Sequence, residues 1–199
     1  MKKNICIFTL LLFMIDCYPQ HLVINNSLTY SKIHNDYEIL NETVHNYYFG
    51  IEATLLEKED KIYYLSGEIG ALRKGGQKRN FYLNDVRMDL EESFDYLIFN
   101  PSFRLKIPFP SSHIYFGAGP RFDFLISKKE FESTAYQDLL AESFIFGGSL
   151  EIGAIYDIKN LRFGFQGQYN MDFSKLTNSE LNIKGNTITF GVLFGYRFF

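Results

Sequence analysis

The sequence predicts an all-β fold, an eight-stranded antiparallel up-and-down transmembrane β-barrel, on the strength of three observations. Apolar and polar residues alternate with a period of two in eight separate segments. The connections between those segments are alternately short and long. No internal stretch approaches about 18 consecutive apolar residues, so no transmembrane helix is predicted.

Composition limits the class of protein further. The chain has 199 residues, which is enough for one domain or a small barrel. Its net charge of −3 and pI near 5.8 give no indication of a nucleic-acid partner. With 22% charged residues it is too polar for a helical membrane protein. Aromatic residues reach 18% without a single Trp, so Tyr and Phe would have to form any interfacial girdle.

The N-terminus, MKKNICIFTLLLFMIDCYPQ, has the pattern of a signal peptide. Lys2 and Lys3 form a basic start, and an apolar run follows at 5–15. That run is too short to anchor the chain as a membrane span. We therefore predict a signal peptide over 1–20, cleaved near 17–20, and a barrel domain over 21–199.

Both cysteines, Cys6 and Cys17, lie within or at the edge of this segment. The mature chain therefore has no disulfide framework, and a closed barrel is an alternative source of stability. Lipidation of Cys17 is a second interpretation, although Asp16 before it fits a lipoprotein signal poorly.

Eight strands are predicted, each with one apolar and one polar face. In chain order they span 22–32, 47–55, 62–72, 94–107, 113–126, 143–156, 161–174 and 187–199. The first is the weakest, because Asn26 interrupts its apolar face. The seventh, LRFGFQGQYNMDFS, is clear, with Gly167 as the one gap among its apolar and aromatic residues. Runs of this length match the roughly 9–11 residues that a tilted strand needs to cross a membrane.

The polar faces are rich in glycine and carry charges on nearly every strand. These charges are Glu52, Glu68, Arg104, Arg121, Asp123, Glu151, Arg162 and Arg197. Eight strands enclose an interior just wide enough for side chains, so we expect these residues to form a paired structural network inside the barrel. A proton or ion path is the functional alternative. A secreted soluble β-barrel or sandwich would reverse the faces, with the aromatic residues as its core.

The connections support a membrane barrel. Short ones are predicted at 58–60, 108–112 and 157–160, and longer polar ones near 33–45, 74–92, 127–141 and 174–185. Bacterial outer-membrane barrels have short periplasmic turns and longer extracellular loops. With eight strands, both termini fall on the side of the short turns.

The chain ends in GYRFF, on a strongly amphipathic strand. A terminal aromatic there resembles the signal by which the barrel assembly machinery recognises outer-membrane barrels. Tyr196, Phe198 and Phe199 would form that signal.

Three stretches resemble the PorT-like outer-membrane β-barrel domain family: YYFGIEATLLEKEDKIYYLSGEIGALRKGG (47–76), IYFGAGPRFDFLI (114–126) and FGVLFGYRF (190–198). Glu68 and the pair Lys74-Gly75 match the family's strand–turn–strand unit, and Gly117 and Gly119 match the Gly-x-Gly centre of its aromatic strand. The resemblance implies a small outer-membrane barrel over roughly 22–199. It transfers no secretion or gliding role, because no residue here identifies one.

Candidate chemistry is sparse. His34, Asp36, His45 and Ser143 fall near the outer rim, but no spacing assembles them into a nucleophile and base, so no enzyme is predicted. No EF-hand-type pattern or Walker A order appears, and we predict no cofactor or metal site. Within GALRKGGQKR (70–79), Arg73, Lys74, Lys78 and Arg79 are candidates to meet lipopolysaccharide phosphates, or they form a solvated loop.

The expected function is a non-enzymatic outer-membrane component. It would hold to membrane lipid by its exterior and have a structural or binding role through its outer loops, where lipopolysaccharide or a protein is the candidate partner. The alternatives are a narrow pore or transport- and secretion-associated barrel, and, from a different class, an outer-membrane enzyme.

Overall fold

The computed structural model describes residues 20–34, 42–58, 60–83, 86–129, 142–176 and 184–198. The predicted signal peptide up to residue 19, with Cys6 and Cys17, lies outside the described residues, as do Asp36 and Phe199. Within the described part of the chain, no helix is long and apolar enough to cross a bilayer.

Eight strands form the structure, and all neighbouring strands are antiparallel. They are β1 (His21–His34), β2 (Val44–Leu55), β3 (Tyr63–Leu83), β4 (Val86–Phe109), β5 (Ser112–Lys129), β6 (Phe144–Ile158), β7 (Leu161–Asp172) and β8 (Lys184–Arg197). Each strand pairs with the next, and β1 pairs with β8 from His21↔Arg197 to His34↔Lys184, which closes the barrel. The predicted fold class is confirmed.

The polarity of the barrel is inverted relative to a soluble protein. Apolar side chains cover the outside: Phe165 is 70% exposed and Phe190 59% exposed. Charged side chains fill the inside, where Arg104 and Arg121 are both 0% exposed. A soluble barrel would bury the first set and solvate the second, because an exposed apolar surface of this extent is costly in water. The distribution of exposure therefore favours a lipid-facing exterior.

Asn26 is a polar residue on the outer face, and the structure gives it a partner. The Tyr47 hydroxyl on the neighbouring strand donates a hydrogen bond to the Asn26 carboxamide oxygen. A polar group in contact with hydrocarbon is costly unless it is hydrogen-bonded, so this pair makes the interruption of the β1 apolar face tolerable.

The start of β1, the end of β8 and three connections of two to seven residues lie together at one end, which we call the short-turn end. Those connections join β2 to β3, β4 to β5 and β6 to β7. The opposite end, called the long-loop end, carries the other connections.

The prediction of a loop over 74–92 is wrong. β3 has 21 residues and β4 has 24, and they stay paired as a hairpin out to Leu83↔Val86, with one irregularity between Lys78 and Phe81. Arg73 and Asp95 form a cross-strand pair at the base of this hairpin, where β4 is still paired with β5, with a hydrogen bond of 2.6 Å between Nε and Oδ1.

Candidate functional site: the interior of the barrel

The middle of the barrel contains a central cluster of Asn25, Glu52, Glu68, Asn100, Arg104 and Glu151. Arg104 is its hub. Its guanidinium donates two hydrogen bonds to the Glu52 carboxylate, at 2.5 and 2.6 Å, and one to Glu151 Oε2 at 2.7 Å. The same guanidinium lies 4.5 Å from the centroid of the Tyr115 ring. Such bidentate geometry gives a buried ion pair the best chance of offsetting its desolvation.

Glu68 differs from the other two carboxyl groups of the central cluster. It lies directly across from Glu52 in the pairing of β2 with β3 and is 1% exposed. Asn25 donates to its Oε1 at 2.8 Å, whereas its Oε2 has no hydrogen-bond partner within the described residues. Three carboxyl groups therefore share one guanidinium, so this cluster has an excess of acidic groups.

Towards the long-loop end, an outer cluster joins Lys74, Arg121, Asp123 and Asp172. Lys74 Nζ donates to Asp123 at 2.6 Å and to Asp172 at 2.7 Å. Arg121 donates to Asp123 Oδ1 at 2.9 Å and also to Asp172. Two cations meet two carboxylates, so the charges of this cluster balance.

Lys74 is therefore misplaced in the predicted outer loop, and the hypothesis that it meets lipopolysaccharide phosphates is wrong. Its side chain is 1% exposed and points into the barrel. The period of two on β3 explains the position, because Glu68, Gly70, Leu72 and Lys74 all face inward once the strand continues. Extending the alternation of the third strand by one more residue pair would have found it.

At the short-turn end, a mouth cluster is built around Arg162. Its guanidinium donates to Glu57 at 2.7 and 3.0 Å and to Asp157 at 2.8 and 2.9 Å. Glu57 belongs to the connection after β2. Burial alone raises the pKa of Glu57, but the hydrogen bonds and positive charge of Arg162 outweigh burial and bring the pKa down to about 2.

Two groups of buried apolar side chains fill further parts of the interior, and we call them the outer layer and the inner layer. The outer layer consists of Ile33, Tyr48, Leu72, Phe94, Tyr96, Ile98, Ile145 and Leu176. The inner layer consists of Val23, Tyr64, Tyr115, Ile155 and Leu193. Leu176 reaches the outer layer from the connection after β7 and is 0% exposed. Side chains therefore fill the interior, as expected for eight strands.

A cavity of about 390 Å³ lies at the short-turn end, below the inner layer. We call it the mouth cavity. It is lined by the mouth cluster and by His21, Lys58, Lys106, His113, Lys159 and Arg197. The end of β4, the following turn and the start of β5 complete the lining, with Pro108, Phe109, Pro110, Ser111 and Ser112.

The predicted interior charges occupy different places. Glu52, Glu68, Arg104 and Glu151 belong to the central cluster, Arg121 and Asp123 to the outer cluster, and Arg162 to the mouth cluster. Arg197 differs, because it lies exposed at the end of β8 and lines the mouth cavity. Sequence reasoning missed Glu57, in the connection after β2, and Asp157, next to the end of β6, because alternation assigns no face where a strand stops.

Of the candidate rim residues, the structure describes the side chains of His45 and Ser143. The His45 ring packs edge-on against the Tyr30 ring with centroids 4.9 Å apart, and the Ser143 carbonyl accepts a backbone hydrogen bond from Leu125. Nothing is described of the His34 side chain or of Asp36. Among the described residues, no group of three or more His, Cys, Asp or Glu is arranged to hold a metal ion.

At the C-terminal end, Tyr196 and Phe198 both lie on the outer surface and are 46% and 48% exposed. Their rings meet edge-to-face with centroids 5.5 Å apart. Phe199 lies outside the described residues.

Comparison with known proteins identifies the class of fold. No protein-family model matches the chain, and no curated protein matches its sequence. Among solved structures, Neisserial surface protein A (NspA) is similar over 89% of this chain and 97% of its own, with a TM-score of 0.53 and 15% identity. The outer membrane protein OprG from Pseudomonas aeruginosa is similar over 90% of this chain and 96% of its own, with a TM-score of 0.57 and 12% identity. The chain has the fold of a small outer-membrane β-barrel protein.

Proposed function

We propose that this chain is an integral outer-membrane protein with a structural or binding role at its extracellular end, and that it is not an enzyme. The observation that carries the proposal is the inverted polarity of the barrel. Its exterior carries exposed Phe, Leu, Ile and Tyr, whereas its interior holds ion pairs at 0–1% exposure. The partner of the exterior is then membrane lipid.

The closed interior favours this role over that of a narrow pore or a transport-associated barrel. Paired charges and two apolar layers occupy the path between the two ends. An ion would have to break a buried pair such as Arg104–Glu52 or enter an apolar layer, and both steps are costly. Reconstituted protein in a planar bilayer should therefore show no discrete conductance steps.

The extracellular role is assigned to the long-loop end, since outer-membrane barrels place their longer loops outside the cell. At this end the hairpin of β3 and β4 stays paired as far as Leu83↔Val86. Lys78 and Arg79 lie on it, and the backbone N–H of Arg79 lies 3.4 Å from the Glu42 carboxylate. Lipopolysaccharide phosphates or a protein are the partners proposed here.

Membership of the PorT-like family and recognition by the barrel assembly machinery are part of the same proposal. The first rests on the three quoted sequence stretches. The second rests on the outward aromatic pair Tyr196 and Phe198. Phe198→Ala should slow folding into the outer membrane without changing the stability of protein refolded in detergent.

Cell fractionation followed by gel electrophoresis with and without boiling tests the proposed location. The protein should be recovered with the outer membrane, and its unboiled form should migrate differently from the boiled form. Recovery in the periplasm or the medium, with no change on boiling, would show that the aromatic residues form a buried core instead.

A further inference from the structure

The mouth cavity combines features of a binding site that neither the barrel nor its proposed extracellular role requires. Its volume of about 390 Å³ lies in the range of small-molecule sites, roughly 300–1,000 Å³. It opens at the short-turn end, away from the loops to which the proposed function is assigned.

The charges around the cavity are unequal. Five lysines and arginines line it, against two carboxylates. Arg162 holds both carboxylates, Glu57 and Asp157, at 2.7 to 3.0 Å. Further positive charge on the cavity wall comes from Lys58, Lys106 and Lys159. A concave wall with an excess of one charge concentrates ions of the opposite sign.

Two buried histidines supply an independent observation. His21 is 3% exposed and His113 is 5% exposed, and both line the cavity. Neither Nε2 atom has a hydrogen-bond partner within the described residues. The Nε2 of His113 lies 3.8 Å from Glu57 Oε1, too far for a hydrogen bond, and the Nδ1 of His21 is engaged with Thr54 Oγ1 at 3.1 Å. Buried polar atoms are usually satisfied, so an unsatisfied ring nitrogen on each of two residues that line the same cavity points to a ligand.

Contacts within the wall hold one of its lysines in place. Lys106 Nζ donates to the Lys58 carbonyl at 2.8 Å and lies 3.7 Å from Glu57 Oε1. These contacts tie the β2–β3 connection to β4. Lys106 is therefore buried and fixed in place, whereas Lys58 and Lys159 lie exposed at the rim.

We infer that the mouth cavity binds a small oxyanion, a phosphate or carboxylate group, presented from the side of the membrane on which the short turns lie. The rim lysines attract the anion, and the ring N–H groups of His21 and His113 donate to its oxygens. The hydroxyls of Ser111 and Ser112 complete the polar wall. Phosphate and carboxylate share this chemistry, so the test distinguishes the two sources.

Titration calorimetry on the full-length barrel refolded in detergent, at constant ionic strength, tests the inference. The probes are inorganic phosphate, the dipeptide N-acetyl-Ala-Ala with a free carboxylate, and the same dipeptide as its amide. Saturable binding of phosphate alone assigns a phosphate-bearing ligand. Binding of the free dipeptide but not of its amide assigns a peptide carboxylate.

Variants of the rim show whether binding occurs in the cavity. Lys58→Gln and Lys159→Gln should each weaken binding by about two- to fivefold, the range expected for loss of one exposed ionic contact, and the double variant by about tenfold. Lys61→Gln is the matched control, because Lys61 belongs to the same connection as Lys58 but does not line the cavity and lies over the Tyr63 ring at 5.3 Å.

Both rim lysines are exposed, so these variants should fold, and the gel shift on boiling verifies that they do. The absence of saturable binding for every probe would overturn the inference. Equal weakening by Lys61→Gln would also overturn it, because it would reduce the effect to general attraction by a basic surface.

Discussion

Glu52→Gln and Glu68→Gln should have opposite effects, although the two residues are cross-strand neighbours in the same layer. Glu52 and Glu68 face each other in the β2–β3 register and are 0% and 1% exposed. The same isosteric change is made at each position. The difference between them is the partner, since Glu52 accepts two hydrogen bonds from Arg104, whereas Glu68 accepts one from the neutral Asn25.

Glu52→Gln leaves the Arg104 guanidinium buried with one carboxylate instead of two. Breaking a buried ion pair from one side costs about 3–5 kcal/mol. The remaining hydrogen bond to Glu151 at 2.7 Å places the expected loss of unfolding free energy at about 3 kcal/mol, the lower end of that range.

Glu68→Gln removes the surplus acidic group from the central cluster. The amide oxygen still accepts the 2.8 Å hydrogen bond from Asn25, and no ion pair is lost. The unfolding free energy should therefore stay within about 1 kcal/mol of the parent or rise, since like charges in a desolvated space repel.

Urea unfolding of protein refolded in detergent measures both changes. The chain has no Trp, so the β-sheet signal in circular dichroism and the gel shift on boiling are the suitable readouts. With an m-value of about 2–3 kcal/mol/M, Glu52→Gln should lower the urea midpoint by about 1 M. An equal fall for Glu68→Gln would refute the charge count of the central cluster. No fall for Glu52→Gln would refute the role of Arg104 as its hub.

Three further predictions follow from the same structure. Lys74→Met should lower the unfolding free energy by about 3 kcal/mol in the urea assay, because the buried Asp123 and Asp172 lose a cation. Lys78→Met, on the projecting hairpin, is the control and should change the unfolding free energy by no more than about 0.5 kcal/mol. Gly119→Ala should prevent or strongly weaken folding, because the added Cβ would overlap the Pro101 carbonyl oxygen. Gly167→Ala is the control and should give the parent's gel shift. A Cβ at Gly167 meets Phe190 and Ile152 at ordinary distances of 3.4 and 3.5 Å. The stabilisation from Glu57, whose pKa falls from 4.5 to about 2, should be fully present above about pH 4.5 and be lost as the pH falls towards 2. The difference in urea midpoint between the parent and Glu57→Gln should therefore shrink over that interval, and a difference that does not change with pH would contradict the ion pair with Arg162.

Alternation explains how much of the fold the sequence predicts. A strand with a period of two assigns every side chain to a face, so the eight strands and the inward position of Glu52, Arg104 and Arg121 follow directly. The same rule does not say where a strand ends once both faces are in water. Alternation therefore predicts a loop over 74–92, with Lys74 outside the barrel, where the structure has the hairpin of β3 and β4.

The pairing of the interior charges depends on information that a single strand does not contain. Lys74 and Asp172 are 98 positions apart and meet only because the barrel closes with a particular stagger. Arg162 and Glu57 are 105 positions apart, and Glu57 lies in a turn, where no period applies. Sequence reasoning can therefore predict that buried charges are paired but not which partners they have.

Lipid contact of the aromatic face is the central claim, and the lack of native Trp allows a direct measurement. Two single variants, Phe165→Trp and Tyr115→Trp, each replace an aromatic residue, the first 70% exposed on the outer surface and the second 0% exposed in the interior. The protein is folded into bilayers with brominated acyl chains, and quenching of Trp fluorescence is recorded. We predict strong quenching for Phe165→Trp and little for Tyr115→Trp. The account would be contradicted if the lipid quenched the Trp fluorescence of neither variant and the Trp of Phe165→Trp was also shielded from water. That result would place the aromatic face in a protein core.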